Sequence, residues 1–298
     1  VGEPGHHVCY ADNICVFETA IEQIAQVAQD TFLIRIEAPE IAAKAVPGQF
    51  VMTRFTGRDA PLIGRALAIY KIVDDATGAP RAIELVFVRK GDFTTPLAIA
   101  PAGTAVSVWG PLGNGFSPRP CETLVVAVGG IGQTPMLMLA QEALGTRTFG
   151  NQGRESNWAK RVVMVYGART AGLLACVDEF RAAGIEVQLC TDDGSIGERS
   201  RVPDCLFERL DRWDDLDATR VVTCGPEIMM EKVARGCIER QIDCQVSMET
   251  PMACGIGICF SCVAKVRIEA TSENGEIPWD YRRTCVEGPI FDACQLVW

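Results

Sequence analysis

Three textures of hydrophobic and polar positions succeed one another along the chain. From residue 18 to about 118, alternating or β-branched runs recur at Thr31–Glu37, Phe50–Phe55, Arg65–Val73, Ala82–Val88 and Thr104–Trp109. Gly and Pro punctuate them closely, at Pro47-Gly48, Gly57, Gly78, Pro80, Pro101 and Gly103. Close turn signals keep strands short, so this stretch predicts a β-barrel or sandwich. From 119 to about 245, strand-length apolar runs alternate with longer helical stretches. Strands are predicted at Leu124–Val128, Arg161–Tyr166, Glu186–Thr191 and Arg220–Cys224, and helices at Pro135–Leu144, Thr170–Ala183 and Pro226–Gln241. Pro135 and Pro226 fall at first-turn positions, where a missing N–H costs nothing. Strand–helix alternation predicts a parallel sheet with helices on its faces. Residues 145–160 read as a polar loop, and residues 246–298 carry many turns and a group of cysteines. The predicted organisation is a tail at 1–17, a β domain at 18–118, an α/β domain at 119–245 and a small cysteine-bearing domain at 246–298.

Composition narrows the class. With 48% hydrophobic and 22% charged residues, the chain is a folded globular protein and not a mostly disordered one. The longest apolar stretch, Leu124 to Ala140, is broken by Gly129, Gly130, Gly132, Gln133 and Pro135, so no membrane-spanning helix is expected. The N-terminus has no basic region followed by an apolar core and does not read as a secretory signal; a cytoplasmic protein is expected. A net charge of −10 with no local basic stripe argues against nucleic acid as a partner. The histidines, His6 and His7, both fall in the tail, which argues against a histidine catalyst.

Fourteen cysteines in a chain with no secretory signal are the anomaly. Most are scattered, but Cys254-Gly-Ile-Gly-Ile-Cys259-Phe-Ser-Cys262 forms a group, with Cys285 following after residues 263–284. C-x4-C-x2-C with a distant fourth cysteine is the plant-type [2Fe–2S] spacing. Gly255 and Gly257 let the loop curl so that three thiolates point inward and backbone N–H groups approach the sulfides. Structural zinc prefers two C-x2-C pairs, and one is present; buried cysteines without metal are the other alternative. On spacing alone the fourth ligand is open between Cys244, Cys285 and Cys294.

Gly129-Gly130-Ile131-Gly132-Gln133-Thr134-Pro135 follows a predicted strand and opens a helix, and so does Cys224-Gly225-Pro226. Tyr166-Gly167-Ala168-Arg169 and Thr191-Asp192-Asp193-Gly194-Ser195 add two more turns on the same strand ends. In open α/β sheets ligands bind outside the carboxyl ends of strands, where glycines let backbone approach a pyrophosphate. These turns predict a dinucleotide site. A 2′-phosphate needs Arg or Lys nearby, whereas the third turn offers Asp192 and Asp193, so NADH is expected over NADPH.

With these residues in view, the chain resembles the electron-transfer subunits of class 1B dihydroorotate dehydrogenases, iron–sulfur flavoproteins of the ferredoxin–NADP reductase superfamily. The resemblance runs from about residue 18 to the C-terminus. It is carried by Gly110-Pro-Leu-Gly-Asn-Gly-Phe116, the Gly129 and Cys224 turns, Met252-Ala-Cys-Gly-Ile-Gly-Ile-Cys259 and Cys285-Val-Glu-Gly-Pro-Ile-Phe291. It implies an antiparallel FAD-binding β-barrel, a parallel-sheet nicotinamide-binding domain and a small C-terminal [2Fe–2S] domain. It also implies Cys254, Cys259, Cys262 and Cys285 as cluster ligands, and Cys224 as the side chain nearest the nicotinamide. For FAD it implies Arg65, Ala66, Leu67 and Ala68, the strand Val86, Phe87 and Val88, and Gly91, Phe93 and Thr94. For the dinucleotide it implies Gly129, Gly130, Gly132, Thr134, Asp192, Gly225 and Pro226. The family pattern has serine where Ala68 stands and glycine where Phe93 stands. The partner implied is a separate FMN-containing dihydroorotate dehydrogenase catalytic subunit, in a heterotetramer, with Phe260 on the cluster loop as a candidate contact. A nicotinamide moves a hydride, a cluster moves single electrons, and a flavin handles both. Two alternatives stay open: a reductase module serving a ferredoxin, an oxygenase or another oxidoreductase, and a non-catalytic cluster-binding regulatory protein.

Overall fold

The computed structural model describes residues 14–150, 154–213, 216–268 and 278–298. Six strands, β1 (Cys15–Ala28), β2 (Thr31–Glu37), β3 (Phe50–Phe55), β4 (Arg65–Asp74), β5 (Pro80–Val88) and β6 (Ala105–Leu112), close an antiparallel barrel in the order β1-β2-β5-β4-β3-β6. Two short helices, α1 (Pro39–Lys44) and α2 (Gly91–Leu97), interrupt the strands. Alternation decides which side chains fill the barrel. Phe32, Ile34 and Ile36 of β2 point in, with Ile69, Ile83, Leu85, Phe87, Val106 and Val108 from its neighbours. Leu33, Tyr70 and Val86 point out and join the core of the next domain. At about 1.5–3 kcal/mol per large apolar side chain buried, this shared core docks the two domains firmly.

The second unit is a seven-stranded sheet in the order β10-β9-β8-β7-β11-β12-β15. Its parallel strands are β7 (Cys121–Gly129), β8 (Ala159–Ala168), β9 (Glu186–Thr191), β10 (Glu198–Arg199), β11 (Thr219–Cys224) and β12 (Asp243–Ser247). Helices α3 (Met136–Ala143), α4 (Val177–Ala182), α5 (Val202–Leu210) and α6 (Glu227–Glu239) cover it. In β7, Leu124, Val126 and Val128 face one buried layer, and Val125 and Ala127 the other. A strand buried on both faces has no polar positions to alternate with. A hairpin of β13 (Val263–Arg267) and β14 (Trp279–Arg283) carries the cysteine segment, and β15 (Ile290–Asp292) returns to pair antiparallel with β12. Among the described residues no helix is long and apolar enough to cross a membrane.

The structure departs from the sequence pattern in particular places. The helix expected over Thr170–Ala183 is a 3-10 turn at Ala171–Leu173 followed by α4, because Cys176 adopts a left-handed conformation (φ 59°) between them. Helix α5 and strands β12 and β15 had no predicted counterpart. The expected limits at 17/18 and 245/246 fall inside strands: β1 begins at Cys15, which faces Gly110 on β6 to close the barrel, and Val246 continues the ladder opposite Thr223.

Candidate functional site

A cleft of about 570 Å³ opens between the barrel and the carboxyl ends of the parallel strands. Arg65, Ala66, Leu67 and Ala68 of β4 form one wall, with Val86, Phe87 and Val88 of β5 and then Lys90 and Thr94. Ile131, Thr134 and Pro135, Cys224, and the segment Ser247 to Met252 form the other. Arg65 spends one guanidinium nitrogen, NH1, on the carbonyls of Ile63 (3.2 Å) and Gly64 (3.3 Å). The rest of that planar fork suits a pyrophosphate. Ala66 and Ala68 leave the β4 wall low. A cationic end and an otherwise largely apolar wall fit an FAD, which Arg65 and Lys90 would hold by its phosphates.

Several expected contacts sit elsewhere. Phe93 is 1% exposed and packs on Phe55 in the barrel core, ring centroids 5.0 Å apart. Neither Phe93 nor Gly91 is among the residues lining the cleft, so phenylalanine in the glycine position fills the barrel and does not intrude on a cofactor. Leu67 and Phe87 border the cleft, but both side chains belong to the barrel core. The Thr94 hydroxyl donates to the carbonyl of Lys90 (2.6 Å) and accepts from its N–H (2.7 Å), so it holds the turn.

The glycine turns interlock. A Cβ on Gly132 would stand 2.3 Å from the Cys224 carbonyl oxygen, and one on Gly225 (φ 143°) would stand 2.9 Å from the Gly129 nitrogen. Their missing side chains therefore let the two turns pack on each other. Gly130, at φ 54° with open space around its Cβ position, faces the dinucleotide cavity. The sequence pattern assigned all these glycines to phosphate approach; packing accounts for Gly129, Gly132 and Gly225.

That cavity, about 470 Å³, lies along the strand ends. It is lined by Gly129 to Ile131 and Gln133, Tyr166 to Arg169, Asp192, Ser200 to Asp204, and Pro226, Ile228, Met229 and Lys232 of α6. Gln133 is fully buried there, and neither its amide nitrogen nor its oxygen finds a hydrogen-bond partner in the protein. An orphaned amide in a nucleotide-sized cavity fits a polar ligand that completes it. Asp192 lines the cavity, but Asp193 is occupied in its own turn, accepting from the Ser195 N–H (2.9 Å) and hydroxyl (2.6 Å). Arg169, Arg201 and Lys232 line the same cavity, so its wall carries cationic side chains as well as Asp192.

Cys224 is buried at the cleft, its thiol 4.0 Å from a carboxylate oxygen of Glu249. Burial, and then the charge of Glu249, raise the Cys224 pKa, which keeps the thiol protonated. Burial likewise raises the carboxyl of Glu249. Glu249 carries no motif signal. It lies five residues before Cys254, in a segment where the pattern draws attention to cysteines alone.

Of the four expected ligands, Cys262 and Cys285 pack together in a small cluster with Phe50, Met52 and Leu112 of the barrel. Cys259 is exposed at the outer edge of the loop, its sulfur 3.2 Å from the Ser261 hydroxyl. Bonds from Ser261 pull the Cys259 thiol down to about 6, which favours the thiolate a metal needs. The Ile256 N–H donates to the Cys254 sulfur (3.4 Å). Gly255 (φ 73°) is pressed onto the barrel, where a Cβ would meet Met52 at 2.5 Å, and the Trp109 indole N–H donates to the Cys254 carbonyl (3.1 Å). Among the described residues no group of three or more His, Cys, Asp or Glu is arranged to hold a single metal ion. A two-iron cluster spreads its four thiolates over two irons, and the donor set fits that group. Of the other candidates, Cys244 is buried with Cys237 in the core, its thiol donating to the Gln245 carbonyl (3.9 Å), and Cys294 is exposed on the last 3-10 turn. Ala66 borders the flavin-sized cleft and also packs with Cys262 and Cys285.

Residues 126–235 match the model of the oxidoreductase NAD-binding domain, and residues 249–297 match the iron–sulfur cluster binding domain of dihydroorotate dehydrogenase B. Fold and site together define an NAD(H)-dependent reductase of the ferredoxin reductase type, with FAD and a [2Fe–2S] cluster as cofactors. The chain is 34% identical over 285 residues to the dihydroorotate dehydrogenase B (NAD(+)) electron transfer subunit of Desulforamulus reducens, covering 95% of this chain and 98% of that one. It belongs to the family of dihydroorotate dehydrogenase B electron transfer subunits. The corresponding protein of Geobacillus kaustophilus is 31% identical over 91% of this chain and 94% of its own. Among solved structures, an NADH-dependent reduced ferredoxin–NADP oxidoreductase studied for flavin-based electron bifurcation superposes with a TM-score of 0.74 at 25% identity, over 94% of this chain and 90% of that one. Phthalate dioxygenase reductase shares the fold, with a TM-score of 0.57 at 16% identity over 91% of this chain and 94% of that one.

Proposed function

We propose that this chain works in the cytoplasm as the electron-transfer subunit of a dihydroorotate-oxidising enzyme. It would pass electrons between an FMN-containing catalytic partner and NAD⁺, in a heterotetramer. The observation that carries the reading is continuity. The dinucleotide cavity and the cleft share Ile131 and Val88, and Phe50, Ala66 and Met252 border the cleft while packing in the cluster that holds Cys262 and Cys285. When bound, FAD exchanges a hydride with NAD(H) and single electrons with the cluster. The protein supplies placement. Arg65 and Lys90 hold phosphates, Gln133 and Asp192 anchor the dinucleotide, and the buried Cys224 thiol borders the cleft as a neutral side chain. Cys254, Cys259, Cys262 and Cys285 hold the iron. The described cysteines are all free thiols, as suits a reducing compartment.

The test is an anaerobic absorbance spectrum of the purified chain before and after NADH. Flavin and cluster bands that bleach together support the reading. Cluster bands without flavin would favour the regulatory alternative. Likeness to the NADH-dependent ferredoxin–NADP oxidoreductase favours a second reading, a module serving a ferredoxin. Co-purification with an FMN-containing subunit or with a ferredoxin decides between them. Asp192 gives a further expectation: the KM for NADPH exceeds that for NADH, because a carboxylate on the cavity wall repels a 2′-phosphate. Equal or lower KM for NADPH would mean that Arg169 and Arg201 outweigh it.

A further inference from the structure

The segment Ser247 to Met252, one wall of the cleft, runs directly into Cys254. Two hydroxyls beside expected cluster ligands fasten it to the rest of the cysteine domain. Ser261, between Cys259 and Cys262, accepts from the Ala253 N–H (3.2 Å) and donates to the Pro251 carbonyl (3.4 Å). The hydroxyl of Thr284, the residue before Cys285, is hydrogen-bonded to the hydroxyl of Thr250. Thr250 lines the cleft and is half-buried, whereas Thr284 is fully buried.

A hydroxyl has one proton to give and two lone pairs. The Thr284 hydroxyl gives its proton to the Cys262 carbonyl (3.1 Å), which also accepts from the Thr284 N–H (2.7 Å). Thr250 is therefore the donor between the two hydroxyls. The result is a relay from Thr250 on the cleft wall, through Thr284 in the core, to the backbone of Cys262, with Cys285 one peptide away. Cys262 and Cys285 are the buried pair among the expected ligands. Groups that orient metal ligands from behind contribute about 10–100-fold to metal affinity or activity. The Thr284 N–H alone already joins the hairpin to the Cys262 carbonyl. What its hydroxyl adds is the connection to the cleft, and a molecule seated against that wall restrains Thr250 and, through it, Thr284.

We propose that the Thr250–Thr284 hydroxyl pair couples the two cofactor sites: FAD in the cleft holds the Cys262 and Cys285 ligands in place, and the cluster in turn holds the wall against FAD. Both threonines are positioning residues. The inference rests on the function proposed above, which seats FAD in this cleft.

The experiment follows the cluster absorbance of the purified chain in excess EDTA, with FAD bound and after FAD is removed. Coupling between two sites typically amounts to about 5–150-fold, so FAD should slow cluster loss at least about fivefold in the wild type. Thr284→Val keeps the shape and the backbone bond but cuts the relay, and should abolish most of that protection. Thr284→Ser should restore it. Thr250→Val cuts the same relay from the cleft side and should act alike, with the double variant no worse than either single one, because residues of one hydrogen-bond chain are not additive. Flavin fluorescence reads the opposite direction, since coupling is reciprocal: loss of the cluster should weaken FAD binding in the wild type and leave it nearly unchanged in Thr284→Val. Protection that is absent from the wild type or undiminished in Thr284→Val would overturn the inference. So would cluster loss accelerated by the same factor with and without FAD, which marks a brace with no link to the cleft. Should Thr284→Val fail to retain a cluster, Thr250→Val decides: undiminished protection overturns the inference. A wild-type chain that binds no FAD would defeat the function proposed above, and the inference with it.

Discussion

Glu142, on α3, has 1% of its side chain exposed, and Arg154 answers it from both Nε and NH2 while also donating to the Phe116 carbonyl (2.6 Å). Burial raises the Glu142 pKa and Arg154 opposes that rise. Removing one partner of a buried pair leaves an uncompensated charge, so Arg154→Ala is expected to cost about 3–5 kcal/mol at neutral pH. The folded pKa lies above the unfolded one. The carboxyl therefore favours the fold most below the ordinary carboxylate range, and that contribution is lost as pH rises through the folded pKa. Without Arg154 the gap widens, so the loss should be larger at pH 8 than at pH 5. Urea unfolding at the two pH values measures it, and a loss independent of pH would refute the account. At this scale the sequence was unevenly legible. The cluster cysteines announce themselves because a tight loop must present three thiolates at fixed local spacing. Glu249 and Gln133 do not. Each owes its character to segments distant in sequence that surround it, and nothing in the neighbouring residues encodes that.

The interlocked turns make a prediction about elements. Gly132→Ala puts a Cβ within 2.3 Å of a backbone oxygen in the Cys224 turn. Neither neighbour is a flexible side chain, so the two turns must separate. A cost at or above the about 1–3 kcal/mol typical of overpacking is expected, with weaker NADH binding. Gly130→Ala meets open space and bears only the left-handed backbone strain, about 1–2 kcal/mol. Denaturant unfolding and NADH titration of both variants test the order; a milder Gly132→Ala would mean that packing is not what these glycines serve. The elements that the sequence pattern identified are those with an uninterrupted signal: β2, β3 and β9 match residue for residue. Strand β1 hid because Glu and Gln occupy its outward positions, and its sequence Glu22-Gln-Ile-Ala-Gln has no clear period. Helix α4 was overextended because the left-handed Cys176 breaks a stretch whose composition still suits a helix. Strand β15 is three residues long and exists by pairing with β12, a long-range fact that local propensity does not carry.

For the whole molecule, the question is where electrons meet the partner. The dinucleotide cavity and the flavin-sized cleft lie where the barrel and the sheet meet, and the cysteine loop packs against the barrel with Cys259 exposed. Around that thiol, Ile258 is 73% exposed and Phe260 is 62% exposed, the latter in a left-handed conformation (φ 55°) with the Arg283 guanidinium 5.3 Å from its ring. Large apolar side chains held out beside the terminal electron carrier suit the dry centre of an interface, where truncation of one anchor can cost about 2 kcal/mol or more. Phe260→Glu is therefore expected to lower partner-dependent turnover by at least about tenfold, since an unpaired carboxylate would have to be desolvated there. Fold stability should change little, because an exposed side chain is replaced and the backbone strain is already present. NADH reduction of a small dye, which needs no partner, should stay near the wild-type rate. Equal loss of both activities would show that Phe260 serves the cluster loop itself. Full partner-dependent turnover would place the docking face elsewhere, and electrons would then have to leave past a different edge of the Cys254–Cys262 loop.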